Sequence, residues 1–300
     1  PRAAQQRTAK KMLAPVIGNS PVCAAGSSRA FVKLPTLRIL AFNTLKLRID
    51  HDDLQDGVWD DVIHDFAQHD VLVLSEIPGN ETLFQKRVLE LQRRLNDVGD
   101  DWSMMRSERT GSSQTDKKLE YHIVLAKAPV QLQANSVTHT HIHEEFMGHA
   151  PFTCVIRVPF FKTVQLFAIT SVHLAPDSST NKRSQRDKEA KLLFEQYESL
   201  VRLPPLSLPF SVKGAQDARR DVTGHILCGD FNAPASVLQS LGANESRGWR
   251  TGFGHAVATS AGQRAFDNFV FNADVVFARF ALGFEVLSPK TFQNSAKGRI

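Results

Sequence analysis

Four apolar segments of this 300-residue chain each end on a polar side chain of a kind that takes part in chemistry. Runs of this length and composition predict buried β-strands, and polar groups collect where a sheet meets solvent. Packing alone does not explain why the same pattern occurs four times. We therefore expect one functional site at one end of a β-sheet core. The segments cover residues 37–43, 70–76, 167–173 and 225–230, and they end on Asn43, Glu76, His173 and Asp230.

The tetrapeptide Gly229-Asp230-Phe231-Asn232 closes the last of these segments. Side chains at positions i and i+2 of an extended segment share a face, so Asp230 and Asn232 can point together into a cleft. A charged and a neutral group in that arrangement suit a hydrolase that positions a metal ion, a water molecule and a phosphate oxygen. The tetrapeptide is weak evidence alone and gains weight from the other three strand ends.

Strands and helices alternate along most of the chain. Apolar residues at helical spacing predict helices over residues 53–68, 81–96 and 182–203. Strands that alternate with helices in one part and follow one another directly in another predict two packed sheets with helices outside. The remaining predicted strands cover residues 120–126, 131–138, 152–160, 266–271 and 275–284, and the strand that ends at His173 begins at Thr163.

Taken in order, the four strand ends resemble the endonuclease/exonuclease/phosphatase superfamily, and within it the deoxyribonuclease I-like branch. Residues 265–271 are similar to a late strand of that branch, with an aromatic residue followed by Asp, any residue and a hydrophobic one. The resemblance extends from about Leu37 to Ile300. It implies one α/β domain over residues 36–300: a four-layer sandwich of two packed mixed β-sheets flanked by helices, with catalytic loops at one end.

Glu76 and Asn43 are the candidate metal ligands. Hard cations such as Mg²⁺ take carboxylate and carboxamide oxygens and keep several waters. Taken alone, Glu76 is more simply interpreted as a solvated carboxylate at a strand end, whereas the set of strand ends favours a ligand. The resemblance implies Mg²⁺ as the cofactor, with Mn²⁺ or Ca²⁺ as alternatives.

His173 is the candidate for acid–base chemistry, because apolar neighbours hold its ring and an imidazole exchanges a proton near neutral pH. The alternative is a core histidine bonded to a backbone carbonyl. The resemblance implies that Glu120 orients this ring. Glu120 adjoins Tyr121, however, whereas the family pattern has one residue between the two. A one-residue shift reverses the face of a side chain, unless the register slips or a bulge intervenes.

The remaining catalytic assignments also come from the resemblance. It implies that Asp230 and Asn232 position the nucleophile and contact the scissile phosphate, and that Asp267 orients a second, water-activating histidine. That histidine belongs to a Ser-Asp-His triplet that closes the family pattern and is not found up to Ile300. We therefore expect the sequence to be truncated just before the triplet and a last strand.

His149 and Arg109 are the candidate phosphate-binding residues. His149 lies where the family carries an arginine, and the position after Glu76 also lacks one, so the grip on duplex DNA is expected to be weaker. Arg109 lies in the polar loop 107–118, which corresponds to a loop that enters the minor groove in deoxyribonuclease I-like proteins. A solvated loop is an equal alternative.

Composition restricts the compartment and the partners. The net charge of +5 fits a polyanionic partner without requiring one. Residues 1–49 contain nine Lys or Arg and no Asp or Glu. We interpret residues 1–35 as a basic disordered leader, either a linker or an organelle transit peptide. Three cysteines are too few for a disulfide framework, so we predict an intracellular protein, organellar or nuclear. No apolar run reaches the roughly 18 residues of a membrane helix.

Three functions stay open at this point. The leading hypothesis is a monomeric, metal-dependent phosphodiesterase that acts on nucleic acid, foremost an endonuclease hydrolysing DNA by in-line water attack. The second is the same machinery acting on another phosphoester: abasic-site DNA, an RNA tail, a phosphoinositide or sphingomyelin. The third is a catalytically degenerate binding module.

Overall fold

A computed structural model of the chain describes twelve strands and four helices. The strands form two six-stranded sheets, and helices cover the outer face of each sheet. The described residues are 10–17, 37–44, 56–111, 119–138, 149–160, 163–176, 178–195, 224–244, 249–251, 267–272 and 282–284.

The first sheet contains strands from both ends of the chain. They are β1 (Lys10–Ile17), β2 (Arg38–Asn43), β3 (Val71–Pro78), β4 (Trp102–Arg106), β5 (Glu120–Lys127) and β12 (Leu282–Phe284). The order across the sheet is β12-β1-β2-β3-β5-β4. Strands β2 and β3 are parallel, and every other pair is antiparallel. The last residues of β2 and β3 and the first residue of β5 therefore lie at the same end of the sheet.

The second sheet is built from the later strands. They are β6 (Gln131–Thr138), β7 (Phe152–Phe160), β8 (Thr163–His173), β9 (Gly224–Asp230), β10 (Trp249–Thr251) and β11 (Asp267–Asn272). The order is β10-β11-β9-β8-β7-β6, with only β8 and β9 parallel. The parallel register places His173 beside Asp230 at the shared end of the two strands.

Four helices form the two outer layers: α1 (Asp56–Ala67), α2 (Glu81–Asp97), α3 (Thr180–Glu195) and α4 (Ala235–Leu241). Helices α1 and α2 pack on the first sheet, and α3 and α4 pack on the second. Helix α2 begins at Asn80, whose side-chain oxygen accepts the Leu83 N–H at 3.0 Å. Such a cap satisfies an N–H that has no partner inside the helix.

Alternation along each strand separates three hydrophobic layers. In β3, Val71 and Val73 face the core between the sheets, whereas Leu72 and Leu74 face the helices. Both faces are buried, which explains the continuous apolar runs of the sequence. The result is a helix–sheet–sheet–helix sandwich, and the predicted fold class is confirmed.

Several details differ from the sequence predictions. Residues 10–17 pair with β2 and β12, so the expected disorder of the leader does not hold for this segment. Strands β4 and β10 were not predicted, because they are short strands at the sheet edges. Much of the predicted strand 275–284 lies outside the described residues, as does the predicted helix beyond residue 195.

Two further features of the described residues concern the cysteines and the helices. Cys154 and Cys228 are buried free thiols, and burial raises the pKa of both. Over the described part of the chain, no helix combines the length and the apolar character needed to cross a bilayer.

Candidate active site

Five side chains from five strands converge at one end of the sandwich, between the inner faces of the two sheets. Contacts of 3.7 Å or less connect them. The first sheet supplies three of them and the second sheet two, so neither sheet contains the site alone. They are Asn43 of β2, Glu76 of β3, Glu120 of β5, His173 of β8 and Asp230 of β9.

A β-bulge turns Glu76 into the cleft. Strict alternation after Leu74 would direct Glu76 toward the outer helices. The pairing of β3 with β5 instead shifts by one residue between Leu74 and Ile77, so Ser75 and Glu76 together lie opposite one residue of β5. Glu76 takes a positive φ of 56°. The extra residue re-aims the side chain toward the inner face, a known use of bulges beside active sites.

Asn43 connects two carboxylates from opposite sheets. Its Nδ2 donates to Glu76 Oε1 at 2.9 Å and to Asp230 Oδ2 at 3.2 Å. Asn43 and Asp230 are buried, whereas the Glu76 side chain remains 19% exposed. We call these three residues the oxygen cluster. Two negative charges brought this close are a ready site for a cation.

The second sheet ends in a tight turn around Asp230 and Asn232. Asp230 Oδ1 accepts the backbone N–H of Asn232 at 2.9 Å. Asn232 has a positive φ of 49°, and its side chain donates to the Leu174 carbonyl at 2.8 Å. The carboxylate of Asp230 thus faces Asn43, while Asn232 ties the loop after β9 to the loop after β8.

Glu120 and His173 form a buried pair across the two sheets. The Nδ1 of His173 lies 2.6 Å from Glu120 Oε1, and Nε2 of the same ring lies 3.7 Å from Glu76 Oε1. Burial by itself disfavours a charged ring, yet the charge and hydrogen bond of Glu120 raise the pKa of His173 to about 9, and the carboxylates of the oxygen cluster add to this rise. Burial likewise opposes ionisation of Glu120, but the neighbouring imidazoles hold its pKa well below the ordinary value.

Adjacent residues of β5 point in opposite directions, so Glu120 and Tyr121 lie on opposite faces of the sheet. The Tyr121 side chain faces the outer layer, where its hydroxyl donates to Glu81 Oε2 at 3.0 Å. Glu120 therefore faces inward, toward His173. Two backbone hydrogen bonds of 2.9 Å to Thr110 fix Glu120 at this position.

His149 lies against the same pair. Its ring stacks on the His173 ring, with centroids 4.6 Å apart and planes at 2°. Its Nδ1 lies 3.2 Å from Glu120 Oε1, and 17% of its side chain is exposed. The ligand atoms of Glu120, His149 and His173 all lie within 4.8 Å of one another, so this cluster could hold a metal ion. Because the two rings are parallel, one would have to turn before both nitrogens faced a shared ion.

Asp267 and Arg109 are the two remaining candidates from the sequence analysis. Asp267 pairs in register with Asp230 through β11 and β9, and its side chain lies outside what the structure describes. Arg109 is exposed in the loop after β4, and its charge acts on Tyr121, on the face of β5 opposite Glu120. Residues 112–118 of its loop lie outside the described residues.

A second cross-sheet contact lies directly beneath the first, and the sequence analysis did not predict it. His122 follows Glu120 by two residues, and Ser171 precedes His173 by two residues. The Nδ1 of His122 lies 2.8 Å from Ser171 Oγ. Burial lowers the pKa of His122 to about 4; Glu120 opposes this shift and His173 adds to it. The i, i+2 spacing from Glu120 was the available signal.

Comparison with known proteins gives matches among solved structures alone. No protein-family model and no curated protein matches the sequence. A humanised D. rerio TDP2 is 16% identical, covering 80% of this chain and 84% of its own, with a TM-score of 0.44. The human Nocturnin catalytic domain with bound sulfate is 12% identical, covering 82% and 85%, with a TM-score of 0.44. An endonuclease/exonuclease/phosphatase from Beutenbergia cavernae is 12% identical, covering 78% and 63%, with a TM-score of 0.49.

Proposed function

We propose that the chain is a metal-dependent phosphodiesterase and, more specifically, an endonuclease that hydrolyses DNA. The observation that carries this proposal is the meeting of the oxygen cluster with the Glu120–His173 pair in one cleft. Metal-assisted displacement at phosphorus needs oxygen ligands for a cation and a group that transfers a proton. Both parts are present, and 3.7 Å separates Nε2 of His173 from Oε1 of Glu76.

The oxygen cluster fits a hard divalent cation. It offers two carboxylates, and the carboxamide oxygen of Asn43 joins them once the amide turns, because Nδ2 faces the carboxylates in the structure. The partial exposure of Glu76 leaves access from solvent. Mg²⁺ suits this donor set, and Mn²⁺ and Ca²⁺ accept the same oxygens. Glu76, Asn43 and Asp230 would hold the ion. When bound, the ion would stabilise the negative charge that develops on the phosphate oxygens.

His173 is the proton donor in this proposal. Its Nδ1 side is held by Glu120, which leaves Nε2 directed toward the oxygen cluster, where a phosphate would lie. The raised pKa keeps the ring protonated at neutral pH. The imidazolium therefore can give its Nε2 proton to the leaving oxygen, while Glu120 holds the ring and its positive charge in place.

Asp230 and Asn232 position the attacking water. Asp230 is held from both sides, because Oδ1 accepts the Asn232 N–H and Oδ2 accepts the Asn43 side chain. A fixed carboxylate can orient a water for in-line attack. Asp267 would orient the second histidine that the resemblance implies, which would act as the base that activates the water.

DNA is proposed as the substrate because of the net positive charge of the chain and the residues near the edge of the cleft. The chain carries a net charge of +5, and the partly exposed His149 lies at the mouth of the cleft. Exposed Arg109 adds a cation on the loop after β4. Contacts of this kind address the backbone, so we expect little base specificity.

Nicking of supercoiled plasmid by the full-length protein tests the proposal. We expect nicking with Mg²⁺, none with EDTA, and a loss of at least about a hundredfold in His173→Ala. The matched control is His64→Ala, which removes an exposed histidine from outer helix α1. Nicking in EDTA, or nicking that survives His173→Ala, would contradict the proposal.

If the protein does not cut DNA, the second function remains, which is hydrolysis of another phosphoester. The oxygen cluster and the Glu120–His173 pair suit any phosphodiester, and His149 gives a weaker phosphate contact than an arginine. If plasmid is not nicked while a small phosphodiester is hydrolysed in a manner that depends on Mg²⁺ and His173, the site acts on another phosphoester.

A further inference from the structure

Helix α3 carries two buried charges where it meets the active-site loops. Arg186 is 5% exposed and Glu189 is fully buried. They lie three residues apart, hence on one face of the helix. The other buried residues of α3 are Ala190, Leu193 and Phe194, which pack in the hydrophobic layer under the second sheet. The helix is thus anchored by charge in one half and by apolar packing in the other.

Glu189 holds the loop that follows His173. Its Oε2 accepts the backbone N–H of Ala175, two residues after His173, at 2.7 Å. Its other oxygen accepts the side chain of Gln185 at 3.3 Å. Both oxygens are therefore engaged, and the carboxylate fixes the backbone just beyond the imidazole.

Arg186 holds the loop that follows Asp230. Its Nη1 donates to the backbone carbonyl of Asn232 at 2.9 Å. The neighbouring Asp187, whose side chain is 41% exposed, steadies the guanidinium, with its Oδ1 2.9 Å from Nε and 2.6 Å from Nη2. Asn232 has a positive φ, so a fixed carbonyl at this residue also stabilises an unusual backbone conformation.

The two loops are also tied to each other. The Leu174 N–H donates to the Asp230 carbonyl at 3.0 Å, and the Asn232 side chain donates to the Leu174 carbonyl at 2.8 Å. His173 and Asp230 are register partners at the ends of β8 and β9. The spacing between these two side chains therefore depends on a small network of hydrogen bonds among the loop after β8, the loop after β9 and helix α3.

We propose that Arg186 and Glu189 are positioning residues, which hold His173 and Asp230 at the spacing that hydrolysis requires. Burying a charge is unfavourable unless it is fully hydrogen-bonded, and apolar residues would attach the helix equally well. The buried charges lie where the helix touches the backbone beside His173 and Asn232. Their role in hydrolysis rests on the proposed function, whereas their control of loop geometry does not.

Variants of the two residues separate positioning from packing. Arg186→Met and Glu189→Met keep most of the side-chain volume and remove the polar ends. Glu189→Gln keeps an acceptor for the Ala175 N–H. Lys191→Met is the matched control, since Lys191 lies on the same helix with a side chain that is 61% exposed. The measurements are kcat and KM for Mg²⁺-dependent nicking, and the His173 resonances in ¹⁵N-histidine NMR spectra.

We expect both Met variants to lower kcat about ten- to a hundredfold with little change in KM, because small displacements of reacting groups have effects of this size. Their His173 resonances should shift, Glu189→Gln should recover most of kcat, and Lys191→Met should resemble the wild type. Equal kcat and unchanged His173 resonances in the Met variants would overturn the proposal. So would a kcat loss that matches the unfolded fraction at the assay temperature.

The test still decides if the Met variants do not fold or if the wild type does not nick DNA. If the Met variants do not fold, Arg186→Lys replaces them, because it keeps the charge and shortens the reach to the Asn232 carbonyl. If the wild type does not nick DNA, the proposed function fails, and the NMR comparison still decides. A shifted His173 resonance then supports the positioning role, and an unshifted one overturns it.

Discussion

Glu76 and Asn232 are the non-glycine residues with positive φ among the described residues, at 56° and 49°. A left-handed conformation disfavours a residue such as Glu by roughly 1–2 kcal/mol, whereas Asn tolerates it better. Such strain persists where the surrounding structure enforces it, and it collects at functional sites. At Glu76 the enforcing element is the bulge. At Asn232 it is the hydrogen bond that its backbone N–H donates to Asp230, together with the contact with α3. Both residues are thus fixed before any ligand binds.

Replacing Glu76 tests the proposed metal ligand. A cation that binds only the folded chain raises the melting temperature, and the rise grows with the ratio of its concentration to its Kd. We expect Mg²⁺ to raise the melting temperature of the wild type and to lose most of this effect in Glu76→Gln. Glu195→Gln is the control, because Glu195 lies on α3 with a side chain that is 43% exposed. Equal Mg²⁺ stabilisation in Glu76→Gln and the wild type would exclude Glu76 as a ligand.

The Glu120–His173 pair gives a pH dependence with a definite sign. The folded pKa of His173 is about 9, against about 6.5 for an unfolded histidine. The stabilising contribution of the pair is therefore complete below about pH 6.5 and disappears as the pH rises through about 9. In metal-free protein, an NMR titration of His173 should have a midpoint well above neutrality, and Glu120→Gln should lower it. An unchanged midpoint in Glu120→Gln would show that Glu120 does not control the ring.

Strands β8 and β9 approach closely at the level of the site. Gly229 precedes Asp230 and has a φ of +136°, and a Cβ there would lie 2.2 Å from the Val172 carbonyl oxygen. A side chain at this position must displace the backbone that holds His173. The glycine in the tetrapeptide is therefore required by the spacing of the two parallel strands.

Gly229→Ala should destabilise the fold by more than about 3 kcal/mol, because strain and a backbone clash act together. Gly99→Ala separates the two causes, since Gly99 has a φ of +111° with nothing within 4 Å of its added Cβ. We expect Gly99→Ala to lose only about 1 kcal/mol. Urea unfolding of both variants measures the difference. Similar losses would mean that the close approach of the strands contributes little.

Periodicity predicted most of the elements of the sandwich. The bounds of β6, β7 and β8 agree with those predicted, because their apolar runs are long and end at clear polar residues. Strands β4 and β10 were missed, since short edge strands carry a weak pattern. The inward turn of Glu76 could not follow from alternation, because one extra residue in β3 reverses the face.

The polar support of the site was harder to predict than its reacting groups. Strand ends indicated Asn43, Glu76, His173 and Asp230 without any knowledge of the fold. Arg186 and Glu189 lie on a helix whose buried face mixes charged and apolar residues, and periodicity assigns charged residues to solvent. Their role depends on backbone groups of loops more than 10 residues away, which no local pattern records.

At the scale of the molecule, the site exists only when the two sheets are packed together. The first sheet supplies Asn43, Glu76 and Glu120, and the second supplies His173 and Asp230. The contacts Asn43–Asp230 and Glu120–His173 both cross between the sheets. Residues brought together in this manner should act as a unit, and the effects of removing them should not add.

A mutant cycle on Mg²⁺-dependent plasmid nicking is the most direct test of this single site. The variants are Glu76→Gln, His173→Ala and the combination of the two. We predict that each single variant loses nearly all activity and that the double variant loses little more, because either change disables the same reaction. Losses that multiply in the double variant, or substantial activity in either single variant, would contradict a common site formed by the two sheets.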